Sequence, residues 1–296
     1  MRVIALLCCL VSIGATSSAP VVSEVLATQI ALDRAGFSPG EIDGKPGKNL
    51  ERALAAYKQS HEEDVSLLGD VPPLIDYTIT DADVAGPFTP DIPPNLPDQA
   101  ALDALNYRNP LEGIAERFHS SPALLQQLNH GATFQKAGEH LMVPNVATAP
   151  SPAQPAPHAS DITVVVTKST SALTIEDSKG QILFHAPVTS GSTHDPLPIG
   201  TWKVTGVQRN PKFHYNPELF WDATPGDRKA TLQPGPNNPV GVVWIDLSKP
   251  HYGIHGTPEP SKIGHVESHG CVRLTNWDAD RVAQWVKPGI KVVFRE

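Results

Sequence analysis

The sequence predicts a multidomain chain: a small all-α module, a mixed α+β module, and a mainly β domain of sandwich or barrel type carrying one helix. Three observations carry that prediction. Apolar residues recur at helical spacing in two separate pairs of short segments before residue 130. Beyond residue 160, short β-branched or alternating runs are split by Gly, Pro, Asn and Asp. The 30 prolines in 296 residues, about twice the usual usage of roughly 5 %, gather between these textures as linkers.

Residues 1–19 read as a secretory signal peptide: Arg2, an apolar run from Val3 to Ala15, then small residues to Ala19. That run is too short for a bilayer-spanning helix of about 20 residues, and no other stretch approaches that length. The mature protein is therefore expected to be soluble, without a membrane partner once the leader is cleaved, and exported. The formal net charge of −8, from 23 Lys and Arg against 31 Asp and Glu, argues against a nucleic-acid binder.

Residues 20–65 form the helical module. Ser23 to Ala35 places Val25, Leu26, Ile30 and Leu32 on a helix ended by Gly36. A turn-rich PGEIDGKPG segment (39–47) follows, and Asn49 is expected to cap a second helix through Tyr57. The Ile42-Asp43-Gly44 turn followed by this helix resembles the small peptidoglycan-binding module of wall enzymes. Residues 66–99, with seven prolines from Pro72 to Pro97, read as an extended semi-rigid linker.

Within residues 100–147, LEGIAERFHSSPALLQQLN (111–129) gives two helices, the second capped by Ser120 or Ser121 with Pro122 in its first turn. GEHLMVP (138–144) gives a closing strand. The pattern resembles a LysM module, a binder of N-acetylglucosamine-containing glycans, although its opening strand is weakly marked. His119, His130 and His140 are expected on its surface. Residues 148–160 (TAPSPAQPAPHAS) are a second linker by composition.

Residues 161–296 form the mainly β domain. Strands are expected at 162–166, 172–176, 182–188, 200–207, 240–247 and 290–294, and one helix from Trp277 to Val286 behind Thr275 or Asn276. The stretch 208–239 is irregular, and loops of that length usually serve function. Within it, Trp221 is a candidate for a groove wall or lid, while Trp202, Trp244, Trp277 and Trp285 read as core or pocket walls.

Cys8 and Cys9 fall in the leader, so the mature chain keeps Cys271 alone. A single thiol in an oxidising compartment is either inert and buried or used. Cys271 lies in Ser268-His269-Gly270-Cys271-Val272-Arg273, with Tyr252-Gly253-Ile254-His255-Gly256-Thr257-Pro258 sixteen residues upstream. An imidazole near a thiol activates it as a nucleophile, and a helix beginning just after Cys271 would favour the thiolate.

HGTP followed by SHGC-x-R closely resembles the signature of the L,D-transpeptidases, the YkuD family, over the whole span 161–296. The resemblance implies Cys271 as nucleophile, His255 as acid/base, the Gly256 carbonyl as orienter of the imidazole, and His269 and Gly270 as shapers of the pocket. Backbone N–H groups near Cys271 would stabilise an oxyanion. Arg273 would hold a substrate carboxylate, and Ser268 would join the substrate-binding set or serve as scaffold. The implied partner is peptidoglycan, through its stem tetrapeptides and glycan strands. The implied chemistry is a thioester acyl-enzyme formed with release of D-alanine, in the periplasm or cell envelope and with no cofactor. Acceptor and oligomeric state stay open. Carboxypeptidase activity and a non-catalytic scaffold remain alternatives. A zinc site from His255, His265, His269 and Cys271 matches no common ligand spacing, and a papain-like protease has its nucleophile and histidine in the opposite chain order.

Overall fold

The computed structural model describes residues 22–61, 71–146 and 162–296. The expected leader (1–19) and the linker at 148–160 lie outside the described residues. Helix α1 spans Glu24–Arg34, with Ser23 Oγ accepting from Leu26 N at 3.2 Å. Helix α2 spans Lys48–Ser60 behind Gly47, which provides no side-chain cap. The expectation that Asn49 caps this helix is corrected. Asn49 lies inside the first turn and donates instead to Ile263 O, 2.8 Å away in the C-terminal domain. Gln29 holds the Ile42-Asp43-Gly44 turn by donating to Asp43 and accepting from Gly44 N.

The linker expected over 66–99 is also corrected, because it carries folded elements. Strand β1 (Leu74–Thr78) starts directly after Pro72 and Pro73, positions where a strand needs no N–H. Helices α3 (Asp81–Ala85) and α4 (Leu96–Gln99) follow. Helices α5 (Pro110–Arg117) and α6 (Pro122–Leu128) are capped by Asn109 and Ser121. Strand β2 (His140–Pro144) pairs antiparallel with β1, Leu74 facing Pro144. The strand that pairs with the expected closing strand is thus β1, which lies outside the 100–147 boundaries; proline density hid it.

The N-terminal helices do not stand apart as a 20–65 module. Leu26, Ile30 and Ile42 share one core with Leu74, Ile114, Leu125 and Val143. Leu32, Phe37 and Tyr57 share another with Ile182 of the C-terminal domain. Two short helices bury too little apolar area alone, so each face is completed by a neighbour. His119 is a further correction: it is 5 % exposed, and its ring stacks on Trp277 at 5.2 Å.

The C-terminal domain contains β3 (Ile162–Thr167), β4 (Ala172–Asp177), β5 (Ile182–Pro187), β6 (Thr189–Ser190) and β7 (Gly200–Arg209). The hairpin β8 (Phe213–Tyr215) and β9 (Ala230–Leu232) occupies the stretch expected to be irregular. Then come β10 (Val243–Leu247), β11 (Gly253–His255), β12 (Val272–Arg273), helix α7 (Asn276–Trp285) and β13 (Lys291–Arg295).

Among the described residues, nine of these strands make one sheet in the order β5-β4-β3-β13-β7-β10-β11-β12-β6. Its two end strands, β5 and β6, are separated in the chain by Val188 alone. The sheet must therefore curl back on itself, nearly closing as a barrel. Val164, Ile175, Val243, Ile245, Val292 and Phe294 fill it together with Val282 of α7. Residues 36–38 run along the free edge of β5, where Ser38 N donates to His185 O at 2.8 Å and His185 N to Gly36 O at 3.0 Å, covering an edge that would otherwise invite pairing. No helix among the described residues is long and apolar enough to cross a membrane.

Candidate active site

Strands β11 and β12 build the site. They run parallel, with Ile254 beside Val272 and His255 beside Arg273. One step back, Gly253 lies beside Cys271. Alternation then puts Gly253, His255, Cys271 and Arg273 on one face of the sheet. Cys271 and His255 are diagonal neighbours. A strand spacing of about 4.8 Å and a rise of about 3.3 Å per residue set their backbones about 8 Å apart.

The helix stands where expected, from Asn276 behind Thr275, but it does not begin just after Cys271. Val272–Arg273 pair as a strand on both sides, with Ile254–His255 and with Thr189–Ser190, before Thr275 caps α7. Dipole support from the helix falls off within its first turn, so it does not reach the thiol.

His255 is 4 % exposed, and its Nδ1 lies 2.7 Å from Gly256 O. With Nδ1–H donated there, Nε2 carries the lone pair. Burial, assisted by the Arg273 charge, lowers the imidazole to about 3, so it is neutral at physiological pH. Trp244, paired with His255 across β10, stacks on its ring at 5.3 Å. That indole also explains Gly253: a Cβ there would stand 2.5 Å from the Trp244 ring.

The Cys271 thiol is half-buried and faces His251 O at 3.7 Å. Burial raises its pKa, while a Gly253 backbone hydrogen bond and the Arg273 charge pull it down. The resting pair is therefore thiol and neutral imidazole, so rapid alkylation near neutral pH is not expected of it. Arg273 is half-buried with no ion pair or side-chain hydrogen bond among the described residues. Its guanidinium is open to an anionic group.

Ser268 Oγ donates to Cys271 O at 2.7 Å and accepts from Gly191 N at 2.7 Å. Both bonds go to backbone, so Ser268 braces the Cys271 turn. Gly270 has φ +97°, and a Cβ on it would meet the Tyr252 ring at 2.7 Å. His269 Nε2 lies 2.6 Å from Asp222 Oδ1, its ring against Phe220 and Trp221. Asp222 and Tyr252 were not among the expected site residues, whereas Trp244 was expected as a core or pocket wall. Tyr252 sits in the YGIHG run, but the Asp222–His269 pair spans 47 positions and leaves no local signal. No group of three or more His, Cys, Asp or Glu among the described residues is placed to hold a metal ion.

A family model for the L,D-transpeptidase catalytic domain (YkuD) matches residues 161–294. The Bacillus subtilis relative YqjB, an L,D-transpeptidase by its given name, is 30 % identical over 147 residues, covering 47 % of this chain and 74 % of that protein. The chain belongs to the YkuD L,D-transpeptidase family. Bacillus subtilis YkuD, named likewise, is 28 % identical over 188 residues, covering 62 % of this chain and 92 % of its own length. A solved L,D-transpeptidase from Mycobacterium smegmatis aligns at 18 % identity with a TM-score of 0.38. That alignment covers 46 % of this chain and 59 % of the mycobacterial one, less than two thirds of its length. The domain matched by the family model is mainly β and nearly closed.

Proposed function

We propose that this L,D-transpeptidase family member is an exported, cysteine-dependent enzyme that cross-links peptidoglycan stem peptides 3→3. The observation that carries the reading is the shared face of β11 and β12, with one thiol, one neutral imidazole and one unpaired guanidinium side by side. Cys271 Sγ attacks the carbonyl carbon of the L-configured third stem residue. As the S–C bond forms, His255 Nε2 takes the thiol proton and then delivers it to the departing D-alanine nitrogen as the C–N bond breaks.

Backbone N–H groups beside Cys271 stabilise the transient oxyanion. Arg273 binds the terminal carboxylate of the donor through its planar fork. An amine of a second stem then attacks the thioester, and the thiol is restored. Water in place of the amine yields a tripeptide, and a protein lysine yields a wall-anchored protein. The chemistry needs no cofactor.

The leader at 1–19 supports action in the periplasm or cell envelope. The Ile42-Asp43-Gly44 turn unit and the β1-α5-α6-β2 unit resemble peptidoglycan-binding and LysM modules. They support a role in holding glycan strands near the thiol.

The test is mass spectrometry of the mature chain incubated with purified disaccharide-tetrapeptide, beside Cys271→Ala. A 3→3 dimer, free D-alanine and an acyl adduct on Cys271, all lost in the variant, are expected. Tripeptide alone would assign a carboxypeptidase. A folded protein giving neither product nor adduct would overturn the enzymatic reading in favour of a wall-binding scaffold.

A further inference from the structure

The imidazole of His255 is held in one tautomer by a glycine carbonyl. Nδ1 lies 2.7 Å from Gly256 O, so the direction of that carbonyl decides where the Nδ1 proton sits and where Nε2 points. A glycine does not fix its own peptide plane, because it lacks the Cβ that narrows φ and ψ. Gly256 must therefore be pinned by its neighbours. Its N–H donates to Val243 O at 3.2 Å, which anchors one side only.

The other side is filled by Asn276, the first residue of α7, which is 1 % exposed. A Cβ on Gly256 would overlap Asn276 Oδ1 and stand 3.3 Å from its Cγ. A Cβ on Gly241 would overlap the same oxygen and stand 2.7 Å from the Gly256 carbonyl carbon. Two glycine backbones thus close on one amide, with no room for a side chain on either. The amide is itself held by three hydrogen bonds. Oδ1 accepts from Val242 N at 3.2 Å, and Nδ2 donates to Pro236 O and to Glu116 Oε2 at 3.0 Å each. A backbone donor at one end and a backbone acceptor at the other allow only this orientation.

Glu116 belongs to α5, outside the domain matched by the family model. Its Oε1 accepts from Tyr107 OH at 2.8 Å, which turns Oε2 towards Asn276. The same N-terminal elements grip the loop before β10, where Asn237 Nδ2 donates to Asn106 O at 2.8 Å and a Cβ on Gly235 would overlap Leu105 O. A continuous path therefore runs from the Glu116 carboxyl through the Asn276 amide and the Gly256 peptide to the His255 ring.

We propose that Asn276 and Glu116 are positioning residues for the reaction, holding the Gly256 carbonyl on His255 Nδ1 so that Nε2 is aimed to take the thiol proton. This rests on His255 being the acid/base proposed above. It gives the N-terminal elements a part in catalysis that needs no contact with glycan. A catalytic group displaced by about 1 Å can lose on the order of a hundredfold in rate, so a small tilt of this carbonyl is enough to matter.

The test reads the ring and the turnover separately. In the mature chain carrying 15N-labelled histidine, the His255 ring is assigned by its loss in His255→Gln. The wild type should show a protonated Nδ1 and a bare Nε2 at neutral pH. Glu116→Ala and Asn276→Ala, each studied well below its melting temperature, should move both nitrogen shifts towards a mixed-tautomer average. With purified disaccharide-tetrapeptide, D-alanine release should fall roughly tenfold or more in kcat while KM stays within about twofold. Glu116→Gln keeps an acceptor oxygen for Asn276 and should recover most of that loss. Should Asn276→Ala misfold, the two Glu116 variants still decide. A lowered melting temperature with ring shifts and kcat unchanged would reduce both residues to structural support and overturn the proposal. If the wild type releases no D-alanine, the reading of the reaction falls, and the tautomer shift in the resting protein alone decides whether these residues set the imidazole.

Discussion

Arg273 acts on two proton equilibria at once. Its guanidinium favours the thiolate of Cys271 and disfavours the imidazolium of His255. Burial opposes the first effect and reinforces the second, so both groups rest neutral and proton transfer must accompany attack. In Arg273→Gln the thiol pKa should rise further. Iodoacetamide alkylation of Cys271, followed from pH 6 to pH 10, should climb only above the ordinary thiol range in the wild type. In the variant that climb should start at still higher pH, making the rate at pH 8 several-fold slower. An unchanged profile would show that the charge does not reach the sulfur. Two glycines on this face answer to neighbours: Gly253 to the Trp244 ring and Gly270 to Tyr252.

The β8–β9 hairpin is the element that frames the site from outside. Its loop brings Phe220, Trp221 and Asp222 onto His269. Segment 92–105 braces its base, where Leu105 is fully buried with Tyr215 and Leu232. Leu105 N donates to Pro234 O at 3.0 Å and Leu105 O accepts from Asn237 N at 2.9 Å. A loop this long, anchored at one buried leucine, should loosen when the anchor is cut. Leu105→Ala is expected to cost about 2–5 kcal/mol, the usual range for deleting a buried leucine side chain. Amide hydrogen exchange should rise mainly over residues 213–232. Uniform loss of protection would instead mean that Leu105 supports the whole fold.

At the scale of the molecule, one buried ionic cluster ties the N-terminal elements to the catalytic domain. Arg281 of α7 donates to both oxygens of Asp33 at 2.9 Å, and His119 Nδ1 lies 3.0 Å from the same carboxylate. Asp278 takes Ser38 Oγ and Thr275 Oγ1 at 2.8 Å each. Burial raises the Asp33 pKa, but Arg281 and His119 outweigh it and hold the carboxyl well below the usual range. A depressed carboxyl stabilises the fold above its unfolded value, near 4, and loses that contribution as pH falls. Arg281→Met strands a buried carboxylate and should cost about 3–5 kcal/mol. Melting temperatures measured from pH 3 to pH 7 should fall steeply towards acid in the wild type and less so in the variant. Parallel curves would contradict a charge-based role for the cluster.

Local sequence was enough to reach the family and the mainly β catalytic domain. Motifs such as HGTP and SHGC-x-R are local strings, and strand and helix periodicities are read within ten residues. The six expected strand runs and the helix behind Thr275 depend on that short range, as do α1, α5 and α6. Strand β1 escaped because its proline-rich surroundings mask a five-residue strand whose only reason to form is β2, 62 positions away at its closest pairing.

Other features needed the folded chain. Asn49 read as a cap until Ile263 came within reach, and His119 read as surface until Trp277 and Asp33 enclosed it. The strand at Val272–Arg273, which separates Cys271 from the helix, forms because its partners lie in β11 and β6. Packing alone settled that the N-terminal helices lean on β5, that Arg273 stays unpaired, and that Glu116 reaches Asn276. Each of these is an interaction between residues far apart in the chain, whose energy depends on burial that no short window of sequence contains.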